Sequence, residues 1–438
     1  MSKYLFNILL LLFLIIQVSS FSQGTWERID SPSLKNLNSV YFTDSLTGWA
    51  VGDSGIIIHT IDGGDNWIIQ NSQTDNDIVY VFFLNSNLGW ASSFNYSTVP
   101  YGTILLKTTN GGEDWVSEQY PTENIFINSI LFLDSLNGWM GGSPHAIVST
   151  SDGGVNWSQA DVDTSTLAFF PVLSIEFYNE QYGYASGGIF DIAGVTWRTN
   201  NGGEKWYAID VSDAPADEVH GLYIFDSLNV TGAGGDPDFG YGVGIISTLD
   251  GGYNWDYDEI GIQGNAFDID FVNESEAWAP LGPQRKFIYS IDTGSTWVDI
   301  STPDSTAIFD VIFTDSLHGF AVGDNGAILK YTPSIPVGVG SNLNFLSGVI
   351  LHQNYPNPTK GSTIISFEIN DGKLLNMPAQ IKIFNMCGRL VRQLNLEKTS
   401  WGENQLTFDG VTFPNGIYYY QLNIGKSVFS AKRMVLMQ

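Results

Sequence analysis

Hydrophobic positions along the chain fall in short runs that are rich in β-branched and aromatic residues and end at Gly, Asn, Asp or Ser. Near the start of the repeating region, successive runs read NSVYFTD, GWAVGD, IIIHTID and NWIIQN. Short runs of this composition, bounded by turn residues, are typical of β-strands rather than helices. The pattern predicts an all-β chain built from groups of four short strands.

Two phrases recur along the chain. One is a Gly-rich box that ends in tryptophan, first seen as HTIDGGDNW, and its tryptophans are spaced by 42 to 49 residues. The other, first seen as DSLTGWAVGDSG, comes before each box. The six boxes place an acid or amide at Asp62, Asn110, Asp152, Asn201, Asp250 and Asp292, and a tryptophan at Trp67, Trp115, Trp157, Trp206, Trp255 and Trp297.

The two phrases differ in number, and the difference predicts how the repeat ends. The second phrase occurs seven times. Its last copy is followed by AILKYTP, and no box with a tryptophan comes after that segment. Trp26 stands 41 residues before Trp67 with no phrase ahead of it. Four-stranded repeats of ~40–45 residues indicate a β-propeller. We therefore expect a seven-bladed β-propeller closed by the N-terminal strand; a long parallel β-solenoid is the alternative, and the displaced Trp26 argues against it.

The box could be a catalytic or metal-binding device, or it could be a turn. Thr60 and Asp62 can accept backbone hydrogen bonds in a tight hairpin, and the glycines tolerate positive φ. Asn110 and Asn201 replace the acid in two boxes, and asparagine keeps the turn chemistry but cannot serve as a general base. We interpret the boxes as structural turns that position a tryptophan between adjacent blades.

These residues also carry a family resemblance. The stretch GWAVGDSGIIIHTIDGGDNW resembles the bacterial-neuraminidase or Asp-box (BNR) repeat, and more closely the photosystem II assembly and stability factor family of seven-bladed propellers. The resemblance covers residues 24–331. It implies a fold but is weak evidence for a function.

Charge and composition exclude some classes of function. The net charge is −28, and residues from Ile350 onward carry 9 Lys and Arg against 5 Asp and Glu, so the propeller part is strongly acidic. Such a surface does not suit nucleic acid, whose binding needs clustered Lys and Arg. The mostly apolar run from Leu5 to Val18 follows Lys3 and precedes small residues, which predicts a signal peptide over residues 1–22. An N-terminal anchor helix is the alternative; we expect no transmembrane segment in the mature chain.

Long connections between the second and third strands of four blades are the candidate binding loops, because loops on a rigid scaffold often carry function. Aromatic rings beside carboxylates suit sugars or peptides. The residues expected to contact a ligand are Phe94, Tyr96, Tyr101, Phe190, Asp191, Asp236, Asp238, Phe239, Tyr241 and Arg285. No cofactor is expected, although Asp236 and Asp238 could hold a structural calcium ion.

Catalysis is the rival interpretation. The alternative is a glycan-active enzyme, sialidase-like or another glycoside hydrolase, that uses Asp191, Asp236 or Asp238. Sialidase chemistry needs three arginines for a carboxylate substrate, but the propeller has only Arg28, Arg198 and Arg285, and the first two are poorly placed for a channel mouth. The sequence favours a protein without catalytic residues.

The C-terminal segment indicates the route of export. After a Pro-, Gly- and Ser-rich linker at 332–349, residues 350–438 read as alternating strands joined by turns, enough for a small Ig-like antiparallel β-sandwich. NYPNP, IKIFNMCGRLVR and PNGIYYYQL closely resemble the C-terminal sorting domain of the type IX secretion system of Bacteroidetes. The matching positions are Asn354, Tyr355, Pro356, Asn357, Pro358, Gly388, Asp409, Gly410 and Gly416.

That resemblance implies passage through the periplasm, contact with the type IX secretion machinery, and release or attachment at the outer-membrane surface. An ordinary Ig-like binding module is the alternative. The sequence as a whole predicts a secreted or cell-surface propeller for binding or adhesion, with an extracellular glycan or protein as its ligand.

Overall fold

The computed structural model divides the chain into two compact units, Met1–Pro336 and Val337–Gln438. The structure describes residues 23–144, 146–163, 165–189, 192–210, 218–236, 242–333, 349–357, 359–369, 372–385, 390–414, 416–425 and 427–436. The predicted signal peptide lies outside these residues. The described residues form β-strands and six short 3-10 turns, at Asp53–Gly55, Thr166–Phe169, Gly282–Gln284, Pro303–Ser305, Asp324–Gly326 and Gly372–Leu374.

The first unit is a series of antiparallel sheets, each mostly of four strands, in chain order. Strand β1 (Thr25–Ile29) is followed by the first sheet, β2 (Leu37–Phe42), β3 (Gly48–Gly52), β4 (Ile56–Thr60) and β5 (Ile68–Asn71). The second sheet is β6 (Ile78–Phe83), β7 (Gly89–Asn95), β8 (Gly102–Thr108) and β9 (Val116–Gln119). The third sheet is β10 (Phe126–Phe132), β11 (Gly138–Ser143), β12 (Ala146–Thr150) and β13 (Ser158–Gln159).

The fourth sheet departs from the four-strand pattern. It contains β14 (Asp161–Val162), β15 (Val172–Phe177), β16 (Gly183–Ile189), β17 (Ala193–Thr199) and β18 (Lys205–Asp210). The added strand β14 pairs in parallel with β18, because the chain leaves the third sheet after the two-residue β13 and crosses to the edge of the fourth. The sequence pattern of four strands a unit did not predict this crossing.

The remaining sheets of the first unit return to four strands. The fifth is β19 (Val219–Ile224), β20 (Val230–Gly235), β21 (Val243–Thr248) and β22 (Asp256–Glu259), and the sixth is β23 (Asp270–Phe271), β24 (Ala277–Pro280), β25 (Lys286–Ser290) and β26 (Val298–Ser301). The closing sheet consists of β27 (Ile308–Asp315), β28 (His318–Gly323), β29 (Ala327–Thr332) and, as its outer strand, β1.

The pairing predicted for the N-terminal strand is present. Strand β1 runs antiparallel to β29, with Trp26 opposite Tyr331. The Trp26 ring lies 5.6 Å from Phe313 and meets Trp278 edge to face at 5.9 Å. The buried Glu276 carboxylate accepts hydrogen bonds from the Gly24 amide, the Trp278 indole and the Tyr331 hydroxyl. The N-terminal strand is thus held by both the sixth and the closing sheets.

The inner strands of neighbouring sheets contact one another in a closed series. These contacts run from β2 to β6, β10, β15, β19, β23 and β27, and β27 in turn contacts β2. Every inner strand except β23 has a register shift near its start. The extra residue at each shift lines a central cavity of about 610 Å³, and these residues are Asn38, Val79, Asn128, Leu173, His220 and Phe309.

The Gly-Trp pair of the second phrase has a packing role, because aromatic rings contact both residues. The Trp49 ring of the first sheet stacks on Phe83 of the second at 3.5 Å, and Phe83 meets the box residue Trp115 edge to face. A Cβ atom on Gly89, opposite Phe83 in the adjacent strand, would lie 2.5 Å from the Phe83 ring. Glycine is therefore required there because the phenyl ring occupies the space of a side chain.

The second unit contains two sheets. One is formed by β30 (Val349–Leu351), β31 (Ser362–Ile369) and β34 (Gly402–Asp409), and the other by β33 (Leu390–Leu396), β32 (Ala379–Asn385), β35 (Gly416–Ile424) and β36 (Ser427–Leu436). Alternate residues of both sheets, among them Phe367, Ile381, Phe408 and Tyr420, are buried in one hydrophobic core. This alternation matches a pair of antiparallel sheets that each bury one face.

Candidate functional site

Each box is a turn held by its own side chains. In the first box, the Thr60 hydroxyl donates to Asp62 and accepts from the Gly64 amide, while Asp62 accepts from the backbone and side chain of Asn66. Gly63 and Gly64 have φ values of 69° and 81°, which a glycine adopts without strain. The Asp62 carboxylate is committed to the turn.

The asparagine boxes have the same geometry. Asn110 accepts from the Thr108 hydroxyl at 3.0 Å and from the Asp114 amide at 3.0 Å, as the aspartates do elsewhere. In the third box, hydrogen bonds from the Asn156 backbone and side chain lower the pKa of Asp152 to about 2. A carboxylate that stays ionised and accepts turn hydrogen bonds is a poor proton donor, so the boxes have the chemistry of a turn.

The two recurring phrases are bonded to each other. Asp44 at the start of the second phrase accepts from the amides of Leu46 and Thr47, which makes a tight turn. The Leu46 carbonyl then accepts from the Gly63 amide of the box at 2.9 Å. The other five boxes make the equivalent hydrogen bond to a carbonyl of the preceding second phrase. The donor amides are those of Gly111, Gly153, Gly202, Gly251 and Thr293. Both phrases therefore lie at the same end of their sheet.

The long connection of the second sheet is an ordered aromatic surface. The Tyr96 side chain is 65% exposed, and its ring stacks on Phe126 of the third sheet at 4.7 Å. Phe94 meets both rings edge to face. The buried Asn95 fixes the loop, because its amide donates to the carbonyls of Thr98 and Pro100 and its oxygen accepts from two amides. We call Phe94, Tyr96 and Phe126 the aromatic platform; Tyr101, further along the same loop, is 41% exposed.

The other predicted ligand residues are placed differently. Asp236 is buried, and its amide donates to the Gly242 carbonyl at the base of the fifth-sheet loop. Arg285 is exposed at a left-handed position with φ 57°, and its carbonyl accepts from Thr302. Five predicted residues lie outside the described ranges: Phe190, Asp191, Asp238, Phe239 and Tyr241. Of the predicted ligand residues that the structure describes, Phe94 and Tyr96 of the second sheet are in contact with each other.

The central cavity brings together four carboxylates that the sequence reasoning missed. Asp310 accepts from the Val40 amide at 2.8 Å, Asp268 from the Val311 amide at 3.2 Å, and Asp270 from the Phe313 amide. These bonds join the sixth sheet to the closing sheet and the closing sheet to the first. Glu176 on β15 also lines the cavity.

Burial changes the protonation of these groups. It raises the pKa of Glu176 to about 8, with a further contribution from Asp270, and raises that of Asp270 to about 7. Burial and the neighbouring Asp310 raise the pKa of Asp268 well above its usual range. In the sequence, Asp268, Asp270 and Asp310 lie in the runs FDID and FDV, and alternation of this kind usually marks acids that face solvent. Within the described ranges, no group of three or more His, Cys, Asp or Glu side chains has a geometry suited to a metal ion.

A groove lies between the second and third sheets. It has a volume of about 600 Å³ and lies between the outer strand β9 and the third box turn. Its floor includes the buried Ile130 and Met140. Val116 and Val155, both mostly exposed, form its two lips. No sequence signal indicated this groove.

The sorting-motif residues organise the entry to the second unit. The backbone amide of the buried Asn354 donates a hydrogen bond to the Tyr420 hydroxyl at 2.7 Å, and the Asn354 side chain donates to the Thr363 hydroxyl. Asn357 accepts from the Val435 amide, and Asp409 accepts from the amide of Val411. Tyr355 is 80% exposed. The cis Tyr355–Pro356 bond, Gly410 and Gly416 are also described, whereas Pro358 and Gly388 lie outside the described residues.

Comparisons with known proteins agree with this architecture. Residues 18–123 and 114–221 match the family described as photosynthesis system II assembly factor YCF48, and residues 353–437 match the secretion system C-terminal sorting domain. Among the described residues, no helix has the length and apolar character needed to span a membrane. The tail implies handling by the type IX secretion machinery and export to the cell surface or beyond.

Individual relatives show the same similarity. The photosystem II assembly lipoprotein Ycf48 of a Nostoc species is 27% identical over 335 residues, which is 75% of this chain and 94% of the relative. The Synechococcus protein of the same name is 26% identical over 198 residues, 45% of this chain and 44% of that relative, so this match spans less than half of its length. A solved structure described as YCF48 bound to D1 peptide has a TM-score of 0.56 and 21% identity and covers 70% of this chain and 97% of its own. The chain therefore resembles the photosystem II assembly factor propellers over its first unit and carries a secretion-system sorting domain in its second.

Proposed function

We propose that this protein is an extracellular binding or adhesion propeller without catalytic activity, exported by type IX secretion, with a glycan or protein as its ligand. The observation that carries the proposal is the aromatic platform on the second sheet. Tyr96 is exposed, yet its ring is fixed by stacking on Phe126. A fixed, exposed aromatic ring loses little conformational entropy on binding and presents an apolar face to a sugar ring or an apolar side chain.

The loop beneath the platform supports binding by a preformed surface. Five hydrogen bonds to the Asn95 side chain hold the connection between β7 and β8. Binding sites that are ordered before the ligand arrives keep more of their interaction energy as affinity. Tyr101 extends the exposed aromatic surface along the same loop.

The proposed architecture is a seven-bladed propeller at residues 24–331, a linker at 332–349, and an Ig-like sorting domain at 350–438, preceded by a signal peptide at 1–22. The closed series of inner-strand contacts and the pairing of β1 with β29 support the ring. The common core of the two tail sheets supports the sandwich. Removal of the tail after export and a source in Bacteroidetes are further parts of this proposal.

The comparison with a peptide-bound YCF48 structure supports a protein ligand, because that relative has the same fold and is described with a peptide. At 21% identity the likeness concerns the fold. The photosystem partner of those relatives does not suit a chain that leaves the cell, so we propose an extracellular partner instead.

Ligand capture on glycan and surface-protein arrays tests the platform. We expect Tyr96→Ala to weaken capture about tenfold or more, as truncation of a central aromatic contact does. Tyr253→Ala is the matched control, because Tyr253 is similarly exposed, at 57%, but lies on a box turn. Unchanged capture by Tyr96→Ala would remove the platform from the site. Turnover of a glycoside panel that Asp236→Asn abolishes would favour the enzyme instead.

Export is tested separately. Deleting residues 350–438 should leave the propeller in the periplasm, while a reporter placed between residues 1–22 and residues 332–438 should reach the medium or the cell surface. Normal export of the truncated chain would contradict the role of the tail.

A further inference from the structure

The groove between the second and third sheets has a filled counterpart between the first and second sheets. Between the first and second sheets, Gln70 lies three residues after the box tryptophan and fills the equivalent space. Its amide donates to the Gly111 carbonyl at 2.8 Å, and its oxygen accepts from the Trp115 indole at 3.2 Å. A Cβ atom on Gly112 would lie 2.0 Å from the Gln70 oxygen.

Glu118 occupies the corresponding position on β9, and its side chain does not fill the space. A Cβ atom on Gly154, the counterpart of Gly112, would meet nothing closer than the Trp157 ring at 3.4 Å. The indole nitrogens of Trp90 and Trp157 have no hydrogen-bond partner in the described part of the chain. Lys107 instead bonds the Gly153 carbonyl at 2.7 Å and lies over the Trp90 ring.

The backbone beside the groove is an unpaired sheet edge. Strand β9 pairs only with β8, so its outer side offers free amide and carbonyl groups. The outer strand of the third sheet, β13, has only two residues, since the chain crosses from there to the fourth sheet. An extended segment can add to an edge of this kind through main-chain hydrogen bonds while alternate side chains enter the adjoining pocket.

The side chains of the groove define what would fit. The buried Ile130 and Met140 form an apolar floor. Asp114 and Glu118 are exposed carboxylates along one wall, whereas the amine of Lys107 is already bonded to a carbonyl. The combination is complementary to an apolar side chain with a basic residue beside it. A volume of about 600 Å³ lies in the range of ligand pockets.

We propose that this groove binds an extended peptide segment of a partner protein, which pairs with the free edge of β9, inserts an apolar side chain towards Met140 and places a Lys or Arg against Asp114 and Glu118. The groove is separate from the aromatic platform, so either surface can fail without the other. A glycan is the less suitable occupant because the free edge of β9 calls for a second backbone.

Selection of a phage-displayed random dodecapeptide library on the full chain tests the proposal. The enriched peptides are then synthesised with a fluorescent label, and their affinity is measured by polarisation. We expect an apolar residue next to Lys or Arg in the enriched peptides. Glu118→Lys and Val116→Lys should each weaken binding about tenfold or more, the first by charge reversal and the second by placing a cation on the lip.

Two matched controls separate the groove from the general charge of the surface. Asp258→Lys alters the residue three positions after Trp255, as Glu118 follows Trp115, and Val298→Lys alters the residue directly after Trp297, as Val116 follows Trp115. Both control positions are exposed. Peptide affinity should be unchanged in the two control variants, and Tyr96→Ala should also leave it unchanged.

Hydrogen exchange provides the second measurement. Bound peptide should slow exchange of the amides in Val116–Gln119 and leave those of the outer strand Val298–Ser301 unchanged. Failure to enrich any peptide, equal affinities in groove and control variants, or unchanged exchange in β9 would each overturn the proposal. Glycan capture that is lost in Glu118→Lys and Val116→Lys would assign the groove to a sugar instead.

Discussion

Replacing Glu176 with glutamine should reduce the dependence of stability on pH. Glu176 lies in the central cavity, where burial raises its pKa from 4.5 to about 8. No hydrogen bond to its carboxylate is found among the described residues. The titratable groups that share the cavity are the carboxylates Asp268, Asp270 and Asp310, the imidazole of His220, and the tyrosines Tyr41, Tyr80, Tyr178 and Tyr223.

The sign of the change in stability with pH follows from the number of protons that the folded and unfolded chains bind. Between the ordinary carboxyl pKa and about 8, the unfolded chain has released the Glu176 proton while the folded chain keeps it. The stability from this group is fully present below the ordinary value and is lost as the pH rises through the folded value. Each pKa unit corresponds to about 1.4 kcal/mol, so the loss from about pH 5 to about pH 8 is on the order of 3 kcal/mol.

The assay is the midpoint of thermal unfolding measured across that pH range. The unfolding midpoint of Glu176→Gln should change less with pH than that of the natural chain. The difference in midpoint between the two proteins should be largest near pH 8. Asp270, whose pKa is raised to about 7, contributes a slope of the same sign, so some pH dependence should persist. Glu180→Gln, which alters an exposed carboxylate on the following turn, is the control and should keep the full slope. Identical slopes for Glu176→Gln and the natural chain would refute the raised pKa of Glu176.

Three further predictions concern the ring and its turns. Trp26→Ala should lower the free energy of unfolding of the first unit by about 3 kcal/mol, as loss of a packed tryptophan does, whereas Glu27→Ala on the exposed side of the same strand should have little effect in the same denaturant titration. Asp62→Ala should lower the thermal midpoint by removing a turn acceptor, and Asp62→Asn should restore most of the loss; equal losses in the two variants would contradict the turn role. Gly138→Ala places a Cβ atom 2.6 Å from the Phe132 ring and should lower the thermal midpoint, with a cost of about 1–3 kcal/mol; an unchanged midpoint would show that the ring can move.

The repeat made much of the first unit predictable from sequence. The missing seventh box and the displaced Trp26 together indicated the pairing of β1 with β29, because a ring needs an outer strand for its last sheet. The box turn was also accessible, since Thr, Asp and Gly at fixed spacing have few other local conformations. Both features depend on contacts within one sheet or on simple counting.

Features that arise between sheets were not predictable in this way. The run FDID, which contains Asp268 and Asp270, has the alternation of a half-exposed strand, and only the closed series of inner strands places it around a cavity with Glu176, which is distant in the sequence. The crossing of β14 rests on two residues with no sequence signal. Gln70 fills the space between the first and second sheets, whereas Glu118 lines an open groove between the second and third. This difference cannot be recognised from the sequence, because it depends on which box turn each residue faces.

The pairing of β1 with β29 also governs when the first unit can be completed. The two partners lie at opposite ends of the repeating region, with Thr25 opposite Thr332. A chain made from its N-terminus onward has all of the earlier sheets available before the partner of β1 exists, so closure belongs to the end of folding rather than its beginning. Until then, Trp26 lacks the rings that surround it and the closing sheet lacks its outer strand. The closing sheet can therefore gain its outer strand only after the last repeat has been made.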